Sequence, residues 1–119
     1  MELSTIIKAR KTLDGFSSIE GLSAHLAYWM TKFVVKTQDE YVFYIQEMQK
    51  LFAKFSIEKD GSFVIPPEKM ADFNTAVEFL NSTAVEDPNI RFSLSELSTE
   101  LKLSMKQMYT LLPFIDEEK

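Results

Sequence analysis

The order of apolar and polar residues predicts a mainly α protein whose dominant element is one long helix. Between Ser23 and Phe55 the chain contains no glycine or proline. Apolar side chains in this segment recur every three or four residues, a spacing that keeps them on one face of a helix. They are Leu26, Met30, Phe33, Tyr41, Tyr44, Met48, Leu51 and Phe55. Thr37 fills the one polar gap, so the pattern predicts an uninterrupted helix roughly 50 Å long.

Shorter elements are predicted on either side of this helix. An amphipathic N-terminal helix ends at Asp14-Gly15 and is followed by a polar turn. Beyond the long helix, Asp60-Gly61 lies between two short β-prone runs, which is a strong signal for a hairpin. Pro66-Pro67 ends the second strand, and the apolar spacing that follows predicts a returning helix to about Asn81.

The C-terminal third is predicted to contain one strand and two short helices. Ile90, Phe92 and Leu94 alternate with polar residues, as in a half-buried strand. Ser93 and Ser104 each precede a Glu or Gln by three residues, which is the spacing of a helix capping box. Each of these serines therefore marks a helix start.

Together these elements predict a single domain over residues 1–119. Its centre is a long antiparallel helical hairpin, similar to a coiled coil, with a small β-hairpin at its tip. The N-terminal helix and the C-terminal strand and short helices pack against this hairpin. We expect Phe114-Ile115 to dock back onto the core and residues 116–119 to form a solvated tail. Because the returning helix is the shorter one, part of the long helix stays uncovered.

Composition agrees with one folded domain and limits the chemistry. Of the 119 residues, 45% are hydrophobic and 26% are charged, which is close to the globular average. The absence of cysteine excludes disulfide scaffolds and thiolate metal sites. The most apolar run, Leu26 to Val35, contains Lys32 and is about half as long as a bilayer span. No membrane partner is therefore expected.

No catalytic residue, metal site or cofactor is predicted, and we do not expect an enzyme. His25 is the only histidine, and it lies beside the apolar Leu26 and Trp29 in the first turn of a helix, which favours a structural role. Three glycines are too few for a phosphate-binding loop or a dinucleotide fingerprint. Glu40 and Glu47, about 10 Å apart on the helix, are the basis of the weakest alternative, a carboxylate-based hydrolase.

A second alternative is a small nucleic-acid-binding protein. Its basic residues would be Lys8, Arg10 and Lys11, joined by Lys32 and Lys36. The net charge of −5 opposes this function, because affinity for a polyanion comes mainly from clustered Lys and Arg. Nucleic acid is therefore not expected to be the main partner.

The strongest functional signal is a surplus of aromatic and methionine side chains on the long helix. Val34, Val42 and Ile45 widen the apolar stripe beyond what one partner helix covers. Aromatic and methionine side chains dominate the buried centres of protein contacts. The pattern therefore predicts an interface with a second copy or with another protein. Its residues are Trp29, Phe33, Tyr41, Tyr44, Met48 and Phe52.

Four stretches of the chain also resemble a known family. They are Phe55 to Gly61, Ile65 through Phe73 and Leu80, Ile90 to Leu97, and Leu111 to Glu118. In their order along the chain they are similar to small tailed-bacteriophage proteins that carry a domain of unknown function. The likeness spans most of the chain.

This resemblance implies a phage-encoded protein that acts through binding, with no catalytic residues to assign. It implies a virion or tail accessory or assembly component, which forms a homo-oligomer or binds another phage protein. The alternative is an inhibitor or modulator of a host protein, such as a defence protein. The expected location is accordingly the virion or the host cytoplasm.

Overall fold

The computed structural model describes residues 1–116, which form a mainly helical fold with a small β component. The predicted fold class is confirmed at this level. The helices are α1 (Leu3–Asp14), α2 (Ala24–Lys36), α3 (Gln38–Phe55), α4 (Pro67–Asn81), α5 (Leu94–Glu100) and α6 (Met105–Leu111), with a 3₁₀ turn at Leu112–Phe114. The strands are β1 (Ile57–Lys59), β2 (Ser62–Val64), β3 (Phe92–Ser93) and β4 (Ile115–Asp116). The predicted tail beyond Asp116 lies outside the described residues.

The predicted continuous helix from Ser23 to Phe55 is wrong, because the chain breaks into α2 and α3 at Thr37. The backbone of Thr37 has φ −102° and ψ 10°, which is the bridge region rather than the helical one. Its side chain is 1% exposed, and its hydroxyl donates to the carbonyl of Phe33 at 2.7 Å. A bond of this kind to the preceding turn bends helices. The polar residue in the apolar stripe is therefore the residue at which the helix ends.

Arg10 of α1 stabilises this break by contacting the residues on both sides of it. Its side chain is buried, and Nη1 donates to the carbonyl of Val34 at 3.1 Å. In an unbroken helix that carbonyl would accept from the N–H of Gln38. Nη2 of Arg10 donates to the side-chain oxygen of Gln38 at 2.6 Å, and the guanidinium lies 4.3 Å from the centre of the Tyr41 ring. Arg10 therefore binds both helices across the break.

The main core joins α1 and α2 to β3, α5, α6 and β4, and we call this part of the molecule the body. Phe33 is fully buried here, with its ring centre 4.9 Å from that of Phe114 and 6.1 Å from that of Phe92. The other buried side chains of this core are Ile6, Ala9, Leu13, Phe16, Leu26, Met30, Ile90, Leu97, Leu101 and Leu111. Residues from both ends of the chain are thus needed to complete the body.

The parallel strands β3 and β4 bring the C-terminal segment back to the body. Phe92 pairs with Ile115, and Ser93 pairs with Asp116. The predicted docking of the Phe114-Ile115 segment is confirmed, since Phe114 is fully buried. Asp116, which was predicted to begin the solvated tail, is exposed as expected, but its backbone pairs with Ser93 in β4.

The predicted helix starts are confirmed at Ser23, Ser93 and Ser104. Each side-chain oxygen accepts a hydrogen bond from the N–H three residues later. Ser104 forms a full capping box with Gln107. Ser23 also donates through its N–H and its hydroxyl to the carboxylate of Glu100, which ties α5 to the start of α2.

Residues 38–81, which comprise α3, the β1–β2 hairpin and α4, form a unit that we call the arm. β1 and β2 are antiparallel, and both residues of the Asp60-Gly61 turn have positive φ, as the predicted hairpin turn requires. The arm is attached to α1 through a second, small core of Leu3, Ile7 and Leu80. No residue of α3 is buried, and Leu80 is the buried residue of α4.

A bidentate ion pair between Asp87 and Arg91 lies in the loop before β3. Nη1 and Nη2 of Arg91 donate to the two carboxylate oxygens of Asp87 at 3.0 and 2.6 Å. These hydrogen bonds, together with one from the N–H of Asn89, lower the pKa of Asp87 from 3.8 to about 2. Because the native pKa is lowered, the ion pair stabilises the fold above about pH 4 and loses its effect as the pH falls toward about 2.

We expect Asp87→Asn to lower the free energy of unfolding by about 1 kcal/mol at neutral pH, since the ion pair is partly exposed. The difference from the unmodified protein should shrink below about pH 4 and vanish near pH 2, where the native carboxylate takes up its proton. Urea unfolding over this pH range measures the difference. A difference that stays constant down to the lowest pH would contradict the assigned ion pair.

Candidate interaction surface

An open apolar groove of about 650 Å³ lies on the arm, between α3 and the hairpin. It is lined by Ile45, Met48, Gln49, Phe52, Ala53, Ser56 and Phe63. Phe63 is 64% exposed and Phe52 is 41% exposed, so aromatic surface in the groove remains in contact with water. Exposed apolar surface of this kind marks sites where another molecule binds.

The groove results from a second apolar stripe on α3. The first stripe, which includes Tyr41, Tyr44, Met48 and Leu51, packs against the small core at α1. Each residue of the second stripe follows a position of the first stripe by one, which is about 100° around the helix. Its members are Val42, Ile45, Gln49, Phe52 and Ser56. Ile45, Gln49, Phe52 and Ser56 of this second stripe line the groove, whereas Val42 is exposed without lining it.

Phe33, which the sequence assigns to the interface, lies inside the body. Its side chain is 0% exposed, so no partner protein reaches it. The assignment of Phe33 to an interface is therefore wrong. The physical reason is that Phe92 and Phe114, which are distant in sequence, supply aromatic partners for its ring within the same chain.

Tyr41, Tyr44 and Met48, also predicted as interface residues, are half-buried where the arm joins α1. Basic side chains of α1 cover the two tyrosine rings. The guanidinium of Arg10 lies 4.3 Å from the ring centre of Tyr41, and Nζ of Lys11 lies 5.6 Å from that of Tyr44. These tyrosines are therefore engaged within the chain, whereas Met48 also lines the groove.

The last two predicted interface residues, Phe52 and Trp29, lie in different parts of the molecule. Phe52 lies in the groove, but Trp29 lies on the body, 37% exposed and edge-to-face with Tyr28 at 5.3 Å. Trp29 lines a 340 Å³ pocket together with His25 and Glu96. Nδ1 of His25 lies 3.0 Å from the Glu96 carboxylate, so the histidine links α2 to α5 at the surface.

Three residues that the predicted interface did not include also contribute apolar surface to the arm: Val42 and Phe63 are exposed, and Ile45 is half-buried in the groove. Val42 and Ile45 carried a usable signal, because both widen the apolar stripe of the helix. For Phe63 the sequence signal is its place in a two-stranded hairpin, because such a hairpin has too few neighbours to bury a large apolar side chain. A phenylalanine at the tip of such a hairpin indicates either a contact with α3 or a contact with another molecule.

The two carboxylates of the hydrolase alternative lie at different places. Glu47 accepts a hydrogen bond from Lys50 at 3.0 Å on the surface. Glu40 lines a pocket with Glu86 and Asp87, but its volume of about 180 Å³ is below the roughly 300–1,000 Å³ of small-molecule sites. Among residues 1–116, no three His, Asp or Glu side chains are placed to hold a metal ion.

The basic residues of the nucleic-acid alternative do not form one surface. Arg10 is buried, and Lys11 lies over a tyrosine ring. Nζ of Lys36 donates to a backbone carbonyl at 3.0 Å. Lys8 and Lys32 are exposed, but they belong to different helices. Binding to a nucleic-acid backbone needs several basic side chains on one face, and these residues do not provide such a face.

Comparison with known proteins finds no match for this chain among family models, curated proteins or solved structures. The resemblance to tailed-phage proteins therefore stays an expectation from the sequence. Within residues 1–116, every helix is too short or too polar to cross a bilayer. The groove on the arm is thus the feature on which a functional assignment depends.

Proposed function

We propose that the protein is a non-enzymatic interaction protein, which acts by burying the groove of its arm against another protein chain. The observation that carries this proposal is that α3 has no buried residue, although it contains three exposed or half-exposed phenylalanines. Full burial of one such side chain contributes about 1.5–3 kcal/mol. A few of them suffice for a specific complex.

In this proposal the arm is an antiparallel helical hairpin that presents the groove. Two sets of contacts support this description. Leu80, near the end of α4, shares a cluster with Tyr41, near the start of α3. At the other end of the arm, the rings of Phe55 and Phe73 lie 6.0 Å apart. The face of α3 that packs against the small core at α1 is covered, whereas the groove side, with Phe52, is exposed and free to bind.

The resemblance to tailed-phage proteins suggests two settings for this function. In the first, the chain is a virion or tail accessory or assembly component, and the groove binds a second copy or another phage protein. In the second, the chain inhibits or modulates a host protein. Identifying the protein that contacts the groove distinguishes the two: a second copy or a phage protein indicates the first, and a host protein indicates the second.

Photo-crosslinking from the groove tests the proposal. Phe63 is replaced by benzoylphenylalanine, and the full chain is irradiated both in purified form and in a lysate of the producing cells. We expect covalent adducts of the chain with itself or with one other protein, because the ring at position 63 is exposed inside the groove. Excess unmodified chain should compete these adducts away, whereas excess Phe52→Glu chain should not.

Tyr109 supplies the matched control position. It is 72% exposed, like Phe63, but it lies on α6 in the body. We expect no competed adducts from benzoylphenylalanine at this position. Equal adducts at both positions, or no competed adduct from position 63 in either preparation, would contradict the proposed function.

A further inference from the structure

We infer that the chain can bind a second copy of itself by exchanging its first two helices, with Thr37 as the hinge. We call residues 1–36, which contain α1 and α2, the N-terminal unit. In the exchanged dimer the N-terminal unit of each copy packs onto the arm and the C-terminal third of the other copy. The inference goes beyond the proposed function, because the groove on the arm takes no part in the exchange.

The N-terminal unit is joined to the rest of the chain by a single residue. α2 ends at Lys36, α3 begins at Gln38, and Thr37 lies between them. No glycine or proline occurs between Ser23 and Phe55, so the sequence on both sides of the hinge suits an uninterrupted helix. Short connections between packed elements favour exchange, because a connection that folds back with difficulty can extend instead.

Straightening at Thr37 would replace a long-range hydrogen bond with a local one. In the bent chain the carbonyl of Val34 accepts from Nη1 of Arg10 at 3.1 Å. In a straight helix it would accept from the N–H of Gln38. The bent chain also buries Nε of Arg10 without a hydrogen-bond acceptor among residues 1–116, and the Asp14 carboxylate lies 3.9 Å from it. The bend therefore depends on contacts from outside the hinge.

A second copy can supply every apolar contact of the N-terminal unit. In the body, the ring of Phe33 packs against the rings of Phe92 and Phe114. In the small core, Leu3 packs with Leu80 of the arm. These partners lie beyond the hinge in sequence, so the same side chains of a second copy fit the same places. Exchange therefore buries no less apolar surface than the monomer does, and a two-fold arrangement satisfies both copies.

Polar contacts of the N-terminal unit also cross the hinge. Ser23 donates through its N–H and its hydroxyl to the carboxylate of Glu100. The hydroxyl oxygens of Thr12 and Thr110 lie 2.7 Å apart. These pairs fix how the unit docks, so each half of the exchanged dimer should repeat the structure of the monomer.

The protein concentration during folding decides which form the chain takes. Within one copy the N-terminal unit reaches its site at the effective concentration that the hinge allows, so the monomer is expected in dilute solution. In concentrated solution a second copy competes for this site, and mass action favours the dimer. Conversion between the two folded forms requires the body to open around Phe33. A dimer that forms at high concentration should therefore persist after dilution.

Refolding from urea at about 1 mM and at about 10 µM tests the inference. After dilution to one common concentration, light scattering should find twice the 13.8 kDa of one chain in the first sample and the mass of one chain in the second. Insertion of Gly-Ser-Gly between Thr37 and Gln38 should lower the dimer fraction about tenfold, because a longer hinge folds back easily. The same insertion between Asp60 and Gly61 is the matched control and should leave the fraction unchanged, since that turn lies within the arm.

A monomeric mass in both samples would overturn the inference. So would a dimer fraction that the insertion at the hinge leaves unchanged. Circular dichroism of each variant separates loss of the dimer from loss of the fold. The exchange itself needs a second measurement, which does not depend on the insertions.

Disulfide formation between single-cysteine chains supplies this measurement, because the natural chain has no cysteine. Thr12 in α1 and Thr110 in α6 are in contact across the hinge. A chain with Thr12→Cys and a second chain with Thr110→Cys, refolded together at about 1 mM, should form a disulfide-linked dimer, since α1 of one copy packs against α6 of the other. The same two chains, refolded separately in dilute solution and then mixed, should stay unlinked.

Phe55→Cys and Phe73→Cys are the matched control pair. The two rings lie 6.0 Å apart, but both residues belong to the arm, so exchange keeps them within one copy. Two chains that carry one of these cysteines each should stay unlinked after refolding together. A dimer that links this pair as strongly as Thr12→Cys with Thr110→Cys, or that links neither pair, would overturn the exchange of the N-terminal unit.

Discussion

Replacing Phe33 with alanine should lower the free energy of unfolding by about 3–5 kcal/mol, a large part of the total stability of a small domain. The side chain is 0% exposed and contacts the rings of Phe92 and Phe114. Truncation therefore removes apolar burial and two aromatic contacts, and it leaves a cavity between α2 and the C-terminal segment. Urea denaturation followed by circular dichroism measures the loss.

Phe79→Ala is the control for this experiment, because the same side chain is removed from a position that is 76% exposed. Its effect on stability should stay within about 0.5 kcal/mol. If Phe33→Ala left the stability of the monomer intact and changed only its association, the position of Phe33 in the body would be refuted. Its sequence-based assignment to an interface would then stand.

Arg10→Ala should lower the free energy of unfolding by about 2–4 kcal/mol. The substitution removes two hydrogen bonds across the break at Thr37 and the contact with the Tyr41 ring. It also leaves the carbonyl of Val34 without this donor. Chemical denaturation of the variant and the unmodified protein at neutral pH measures the difference.

Two further variants show whether the guanidinium group is responsible. Lys8→Ala changes an exposed basic residue on the same helix and should cost less than about 0.5 kcal/mol. Arg10→Lys keeps the charge, but the ammonium group cannot reproduce the fork that binds α2 and α3 together. An Arg10→Lys variant as stable as Lys8→Ala would show that the charge alone is sufficient.

Features that depend on neighbouring residues could be predicted from the sequence. The caps at Ser23, Ser93 and Ser104 use a side chain and an N–H only three residues apart. The Asp60-Gly61 turn needs two residues that tolerate positive φ, and both are adjacent in sequence. In each case the deciding atoms lie within one helical turn or one hairpin.

The break at Thr37 could not be predicted in this way. Threonine costs only a fraction of a kcal/mol within a helix, and the apolar spacing on both sides remains helical. The break is held by Arg10, which donates to Val34 and Gln38 from a different helix. A long-range contact therefore overrides the local pattern.

The sequence could predict that this helical segment carries an exposed aromatic surface, but not which of its residues form that surface. Aromatic side chains suit a core and an interface equally well, so their number on α2 and α3 does not show which of them are already covered. Phe33 is covered by rings from the C-terminal third, whereas Phe52 lies one helical position away from the covered stripe and remains open. The distinction depends on the bend at Thr37 and on where β3 and β4 return.

The aromatic contacts of Phe33 also affect the order in which the chain folds during its synthesis. The rings that contact it belong to residues 92 and 114, so the body closes only after residue 114 has left the ribosome. The arm is made of contacts between residues 38 and 81, which emerge earlier and are closer in sequence. A nascent chain therefore displays the apolar face of α2 while its C-terminal cover is still being synthesised, and this face is where a chaperone would bind first.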